Sequence, residues 1–568
     1  MAAEQISWRS VSLVTVAVCW SLAVSPADGA AVENPDRYAH ELEPNYWYDH
    51  AEQQLQAILR ARQEGVAKNV ILFLGDGMGV STATGGRIWA GQQRGLRGEE
   101  YELSWDKFAF TGFSKTYNVD QQTTDSAASG TAFLCGVKTR TGVLGLSGRA
   151  FRSQCSTAQG NQVESILNWA IAEGKSAGLV STARITHATP AAAYAKTPER
   201  NWESDRNIPD SEKRCADISY QLVKENPRIQ VLMGGGRAFF LPDGVADPDP
   251  DPSYFTNGSS RLDGLNLVEE WAKEKASGGF SHSYVFDKAG FDRVNPENTD
   301  YLLGLFNQGH MQYEVDRNET KEPSISEMTE KAIRILRKND KGFFLLVEGG
   351  RIDHGNHANW ATKAFAEVDA MSKAVQVARD LTSDQDTLLV VTADHSHVLA
   401  IAGYAGRGNP ITGLSARNGK LDLGRALDGL PYTTVVYGNG PGRHETAKYR
   451  QNLTGVDTSA STYRVDAVVP MNSETHAGED VAIYATGPQS FLYTGTHEQS
   501  YIPLAMAYAS CVGPYAEGKL ACAKYASPLI PHPLPTQPSQ PDSGAGPRCS
   551  AWFVAMVTFT AMTSLIRL

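Results

Sequence analysis

Val70-Ile71-Leu72-Phe73-Leu74-Gly75-Asp76-Gly77 is a run of five apolar residues that ends in a glycine-flanked carboxylate. A short unbroken apolar run predicts a strand covered on both faces by helices, as in a parallel sheet. The pattern recurs. Phe343-Phe344-Leu345-Leu346-Val347 runs into Glu348, Leu388-Leu389-Val390-Val391 runs into Thr392, Asp394 and His395, and Leu179-Val180 leads toward His187 and Thr189. Four expected strands thus carry metal-ligand or polar residues at or beyond their C-terminal ends, where open parallel sheets place their sites.

Helical patterns separate these strands. Ser324-x-x-Glu327 predicts a capping box, followed by Ile325, Met328, Ala332, Ile335 and Leu336 at helical spacing. Phe365, Val368, Met371, Val375 and Ala378 repeat that spacing before the next apolar run. The alternation predicts an α/β class, with a three-layer α/β/α sandwich around a largely parallel sheet. The glycine-rich segment from Gly403 breaks the alternation and predicts an inserted surface subdomain over about 403–470.

The chain of 568 residues carries 52 Lys plus Arg against 63 Asp plus Glu, a net charge of −11. That balance argues against a nucleic-acid scaffold or an acidic bilayer as electrostatic partner. Residues 1–29 read as a secretory signal: Arg9 precedes an uncharged run from Val11 to Val24, and small residues follow around Gly29. Residues 30–527 are the expected catalytic domain, and the Pro-rich stretch 528–543 reads as a spacer. Beyond it, residues 544–568 hold an apolar tail, Ala551 to Ile566, shorter than the roughly 20 residues of a spanning helix. The pattern fits a removed glycosylphosphatidylinositol signal with lipid attachment at Ser543 and an extracellular, membrane-anchored product.

Export fits the cysteines. Without signal and tail there remain Cys135, Cys155, Cys215, Cys511 and Cys522. Cys511 with Cys522 closes a short loop and Cys155 with Cys215 a longer one, leaving Cys135 free; five cysteines allow other pairings. Asn257, Asn318 and Asn452 open glycosylation sequons.

The chemistry concentrates in a few clusters. Asp353 and His357 stand four residues apart, the spacing that puts a carboxylate and an imidazole on one helical face, as zinc requires. Asp394-His395-Ser396-His397 and Glu474-Thr475-His476 supply more such groups. Ser126, in Thr123-Thr124-Asp125-Ser126-Ala127, has on its own the context of a helix cap.

Together these segments, from Asp76 to Cys522 and including Asp125-Ser126-Ala127-Ala128, resemble the alkaline phosphatases, particularly the animal membrane-anchored type. The resemblance implies a homodimeric hydrolase of phosphate monoesters with Ser126 as nucleophile and Arg200 gripping the phosphate. It implies one zinc on Asp353, His357 and His476, a second on Asp76, Asp394 and His395, and a magnesium on Asp76, Thr189 and Glu348. His187 and His354 match histidines that orient ligands or waters. A calcium on Asp249, the Phe306 carbonyl, Asn307 and Glu322 is implied as well. Two alternatives stay open on sequence alone: a relative acting on phosphodiesters or sulfates, and a surface binding protein that keeps metals for stability.

Overall fold

The computed structural model describes residues 61–250, 260–417, 420–421, 426–442, 450–516 and 522. The expected signal segment, the spacer, the tail with Ser543, and Asn257 lie outside the described residues.

Ten strands form the principal sheet. In chain order they are β1 (Asn69–Gly75), β2 (Phe110–Lys115), β3 (Ser176–Arg184), β4 (Val231–Gly235), β5 (His282–Val285), β6 (Tyr301–Leu305), β7 (Phe343–Gly349), β8 (Thr387–Ala393), β9 (Val481–Thr486) and β10 (Gly495–Glu498). Their spatial order is β10-β2-β9-β8-β1-β7-β3-β4-β6-β5. Every pairing is parallel except those of β9, which runs antiparallel to β2 and β8. The four strands read from the sequence are the four central neighbours, β8-β1-β7-β3, so their C-terminal ends open on one edge of the sheet.

Alternation along β1 divides the core. Val70, Leu72 and Leu74 join a cluster with Leu179, Leu346 and Val390 on one face. Ile71 and Phe73 join Val180, Leu345, Val347 and Val391 on the other. Each such side chain contributes about 1.5–3 kcal/mol on burial, which is why the continuous apolar runs sit where both faces are covered.

The helices that frame the site are α1 (Val80–Gln93), α2 (Ser126–Cys135), α3 (Ala188–Ala192), α4 (Ile325–Leu336), α5 (Arg351–His357) and α6 (Ala361–Leu381). Ser324 caps α4 with the expected reciprocal bonds to Glu327. Beyond β8, Leu399–Ile401, Val435–Gly440 and Ala467–Pro470 form a separate three-stranded sheet. Its buried side chains, Leu399, Val435, Tyr437 and Ala467, pack on Ala361 and Phe365 of α6. The glycine-rich segment is therefore seated on the main body through a shared core.

Disulfides join Cys155 to Cys215 and Cys511 to Cys522, and Cys135 is a buried free thiol. Asn318 and Asn452 are exposed.

Candidate active site

The end of β1 starts the site. Gly77 has φ +66°, and a Cβ there would stand 2.3 Å from His397 Nε2, so only glycine lets the turn pass this close. The freed backbone N–H of Gly77 donates to Asp394 Oδ1 at 2.9 Å, tying the end of β1 to that of β8.

Ser126 is the first residue of α2, and the cap is its neighbour. Asp125 accepts the Ala128 N–H at 3.2 Å, so the capping role that local context offered Ser126 belongs to Asp125. Ser126 Oγ instead faces inward, 3.1 Å from His395 Nε2 and 3.4 Å from Asp76 Oδ1. It lies at the positive end of a ten-residue helix, a favourable place for an anion. Arg200 Nη1 donates to Asp125 Oδ2 at 2.9 Å and its backbone N–H to the Gly142 carbonyl. Burial pushes the Asp125 carboxyl up, but Arg200 and the N–H of Gly142 outweigh it and hold the group below its ordinary value.

Two ligand-type groups flank the serine. Asp353 Oδ1 lies 3.3 Å from His357 Nε2 and 3.4 Å from His476 Nε2, with those two nitrogens 3.1 Å apart. The helical face expected from the four-residue spacing is present in α5. His395 Nε2 lies 3.1 Å from Asp394 Oδ2 and 3.5 Å from Asp76 Oδ1. The two groups meet where the His395 and His476 rings stack with centroids 3.5 Å apart.

A third group sits behind Asp76. Glu348 at the end of β7 accepts from Ser181 Oγ, while Asp76 Oδ2, Glu348 Oε1 and Thr189 Oγ1 are buried with no hydrogen-bond partner. Leaving buried oxygens without donors is costly unless a cation meets them. Burial drives the Asp76 carboxyl well above its ordinary value, reinforced by Asp394, and raises Glu348 to about 8. Asp353 and Asp394, although buried, are held low by the histidines around them, Asp394 at about 2. Four buried carboxylates this close, with no lysine or arginine bonded to them, fit hard or borderline divalent cations.

The sequence places His397 and Glu474 in ligand-type clusters without giving them a role, and His310 in none. His397 is buried between Asp353 Oδ1, at 2.8 Å, and Glu474 Oε2, at 2.5 Å. The two-residue spacing of His395 and His397, the latter on the short strand Ser396–His397, is the available signal. The Glu474 carbonyl also meets His357 Nδ1 at 2.5 Å. His310 had no local signal; it joins His187 and His354 with ring centroids 4.1–5.4 Å apart. Each of these three rings has an arginine on one nitrogen: Arg200 on His187, Arg351 on His354 and Arg184 on His310. A guanidinium only donates, so these lone pairs are engaged. Burial, then the arginine charges, depress all three imidazoles. The trio, which reaches Asp76 and Glu348 through His187, is therefore neutral and makes a poor metal triad.

The remaining expected residues lie in a separate region. Asn307 Nδ2 donates to Glu322 Oε1 at 2.8 Å, and Lys321 Nζ to Asp249 Oδ1 at 3.0 Å.

Comparison with known proteins agrees with this geometry. The family described as alkaline phosphatase matches residues 67–512. The tissue-nonspecific isozyme of alkaline phosphatase from Felis catus is 48% identical over 499 residues, 87% of this chain and 93% of that protein. The Homo sapiens isozyme is 47% identical over 498 residues, with the same coverage. Among solved structures, the alkaline phosphatase of Thermus thermophilus superposes with a TM-score of 0.56 at 24% identity, covering 79% of this chain and 93% of that one. That of the Antarctic bacterium TAB5 gives 0.53 at 21%, covering 79% and 99%. At such identities the structural matches speak for the fold alone.

Proposed function

This chain belongs to the alkaline phosphatase family and hydrolyses phosphate monoesters with metal cofactors; from that premise we propose that it works by double displacement through a phosphoserine on Ser126. The observation that carries the proposal is the placement of Ser126 Oγ. It stands at the N-terminus of α2, within 3.1–3.4 Å of His395 and Asp76, with Arg200 braced on the adjacent Asp125.

Asp353, His357 and His476 would hold one zinc, Asp76, Asp394 and His395 the second, and Asp76, Thr189 and Glu348 a magnesium. The orphaned oxygens of Asp76, Glu348 and Thr189 support this assignment. Four carboxylates against three divalent ions leave an excess of two positive charges, the complement of a phosphate monoester dianion. When bound, the ions supply Lewis acidity that favours the serine alkoxide, the leaving alkoxide and, later, hydroxide.

In the first displacement Ser126 Oγ loses its proton and bonds to phosphorus as the ester P–O bond breaks, and the leaving oxygen departs as the alcohol. In the second, water attacks the same phosphorus, the Oγ–P bond breaks, and inorganic phosphate leaves as Ser126 regains a proton. Arg200 presents a planar fork to two phosphate oxygens. Asp125 aims that fork, and His187, 3.3 Å from Arg200 Nη2, supports its other side.

The export signal, short apolar tail and small residues around Ser543 support an enzyme carried on the outer cell surface by a glycosylphosphatidylinositol lipid. Among the described residues, no helix is long and apolar enough to cross a membrane. Exposed Asn318 and Asn452 suit glycosylation, and the family resemblance supports a homodimer.

Acid-quenched turnover of a radiolabelled monoester, followed by peptide mapping, tests the mechanism. Label is expected on Ser126, with Ser126→Ala losing roughly 10³-fold or more in turnover while keeping its zinc. An active wild type without trapped label, together with an alanine variant of equal rate, would sink the phosphoserine mechanism.

A further inference from the structure

The calcium expected on Asp249, the Phe306 carbonyl, Asn307 and Glu322 meets a donor set unlike that of the catalytic centre. At Asp76 and Glu348, one buried carboxylate oxygen each is left without a hydrogen-bond partner. Around Glu322 the protein supplies the donors itself. Asn307 Nδ2 binds Glu322 Oε1 at 2.8 Å, the Gln312 N–H binds Oε2 at 2.8 Å, and Arg317 Nη1 binds the Glu322 carbonyl at 3.1 Å. Asn307 Oδ1 accepts from the Gly309 N–H at 3.0 Å. Asn307 thus turns its amide nitrogen, which no cation accepts, toward the carboxylate.

Asp249 is engaged too. Lys321 Nζ donates to its Oδ1, and Arg237 Nη2 donates to its carbonyl at 2.7 Å. Arg237 is fully buried; it also binds both carboxylate oxygens of Asp247 and, at 2.7 Å, the carbonyl of Leu305, one residue before Phe306. A guanidinium therefore ties the loop of Asp249 to the end of β6, and an ammonium ties it to the segment that carries Glu322. Calcium affinity follows ligand charge and rigidity. This set offers two carboxylates, one of them already paired with Lys321.

We infer that this region works without calcium in this chain, and that Lys321, with Arg237 behind it, makes the cross-link a divalent cation would otherwise make.

Equilibrium dialysis of the zinc- and magnesium-loaded full chain against radioactive calcium tests this. No bound calcium is expected up to about 1 mM, and the melting temperature should not respond to the ion. The double variant Asn307→Asp, Lys321→Ala adds a carboxylate and removes the ammonium. It is expected to take up one calcium per chain and to gain heat stability from it. One calcium per wild-type chain that disappears in Glu322→Gln overturns the inference, whereas an ion that survives Glu322→Gln lies elsewhere and leaves it standing. A folded double variant that still takes up no calcium overturns the role given to Lys321. Should the double variant not fold, Lys321→Met is measured alone: a lowered melting temperature supports the cross-link, and an unchanged one refutes it.

Discussion

Replacing His397 with alanine separates the two tasks that the structure gives it. The ring is buried, donates to Asp353 Oδ1 at 2.8 Å and to Glu474 Oε2 at 2.5 Å, and thereby fixes Asp353 within 3.3 Å of His357 and 3.4 Å of His476. Burial alone would depress its pKa, but the Glu474 and Asp353 carboxylates reverse that and raise it to about 10. Loss of a hydrogen-bond partner behind a metal ligand typically costs about 10–100-fold in metal affinity, or roughly 1.4–2.8 kcal/mol. The effect on folding should be larger. Glu474 keeps the Val398 N–H as a donor at 2.7 Å, and breaking a buried ion pair costs about 3–5 kcal/mol.

Two readouts follow. Zinc titrated against a competing chelator should show the affinity loss, and calorimetry of the zinc-loaded protein should show the stability loss. Adding Glu474→Gln removes the stranded charge, so the double variant should recover most of the melting temperature but not the zinc affinity. The pH dependence has a definite sign. In the metal-free protein the folded pKa lies above the ordinary 6.5, so the wild type holds this stabilisation in full below about 6.5 and loses it as pH rises through 10. The gap in melting temperature between metal-free wild type and metal-free His397→Ala should therefore narrow toward alkaline pH. Zinc affinity within twofold of wild type in His397→Ala would refute the positioning role, and a gap that widens with pH would refute the charge assignment.

Arg200→Ala should weaken inhibition by inorganic phosphate and slow turnover with zinc retained. A charge-assisted contact is worth about 1.5–3 kcal/mol, or roughly 10- to 150-fold, and unaltered phosphate inhibition would reduce Arg200 to a brace on Asp125. A phosphatidylinositol-specific phospholipase should release the enzyme from membranes, and sedimentation of the released protein should give twice the mass of one chain. Recovery of membrane-bound protein with the segment Ala551 to Leu568 intact would refute the lipid anchor, and a single-chain mass would refute the dimer.

What the sequence disclosed follows from how strands and ligands are coupled. The central strands β8, β1, β7 and β3 are buried on both faces, so each is a continuous apolar run, and the residue that leaves it is the one the sheet aims at the site. Asp76, Glu348, Asp394 and His395 were therefore legible as strand-end residues, and Asp353 with His357 as neighbours on one helical turn. The strand β9 was not. Its buried and half-buried residues alternate, Val481, Ile483 and Ala485 against Ala482, Tyr484 and Thr486, but Val481 to Ala485 is an apolar run like the others, and nothing in it marks β9 as the one antiparallel member of the sheet.

The supporting contacts were illegible for a different reason. His397 meets Asp353 across 44 residues and Glu474 across 77, and His310 reaches Arg184 across 126. Nothing in a local window distinguishes such residues from ordinary polar ones, because their role is created by loop closure after the sheet has formed. Ser126 shows both limits at once. Its local context suggested a cap, a role the fold gives to Asp125, and its contact with His395 spans 269 residues. A motif at the end of a strand announces itself because strand and ligand are covalently continuous. The orientation of that ligand is set by distant partners, and it is there that this chain can depart from its relatives without changing its strand pattern. The Lys321–Asp249 and Asn307–Glu322 contacts are of this kind: polar pairs, silent in the hydrophobic pattern, whose partners lie 72 and 15 residues apart.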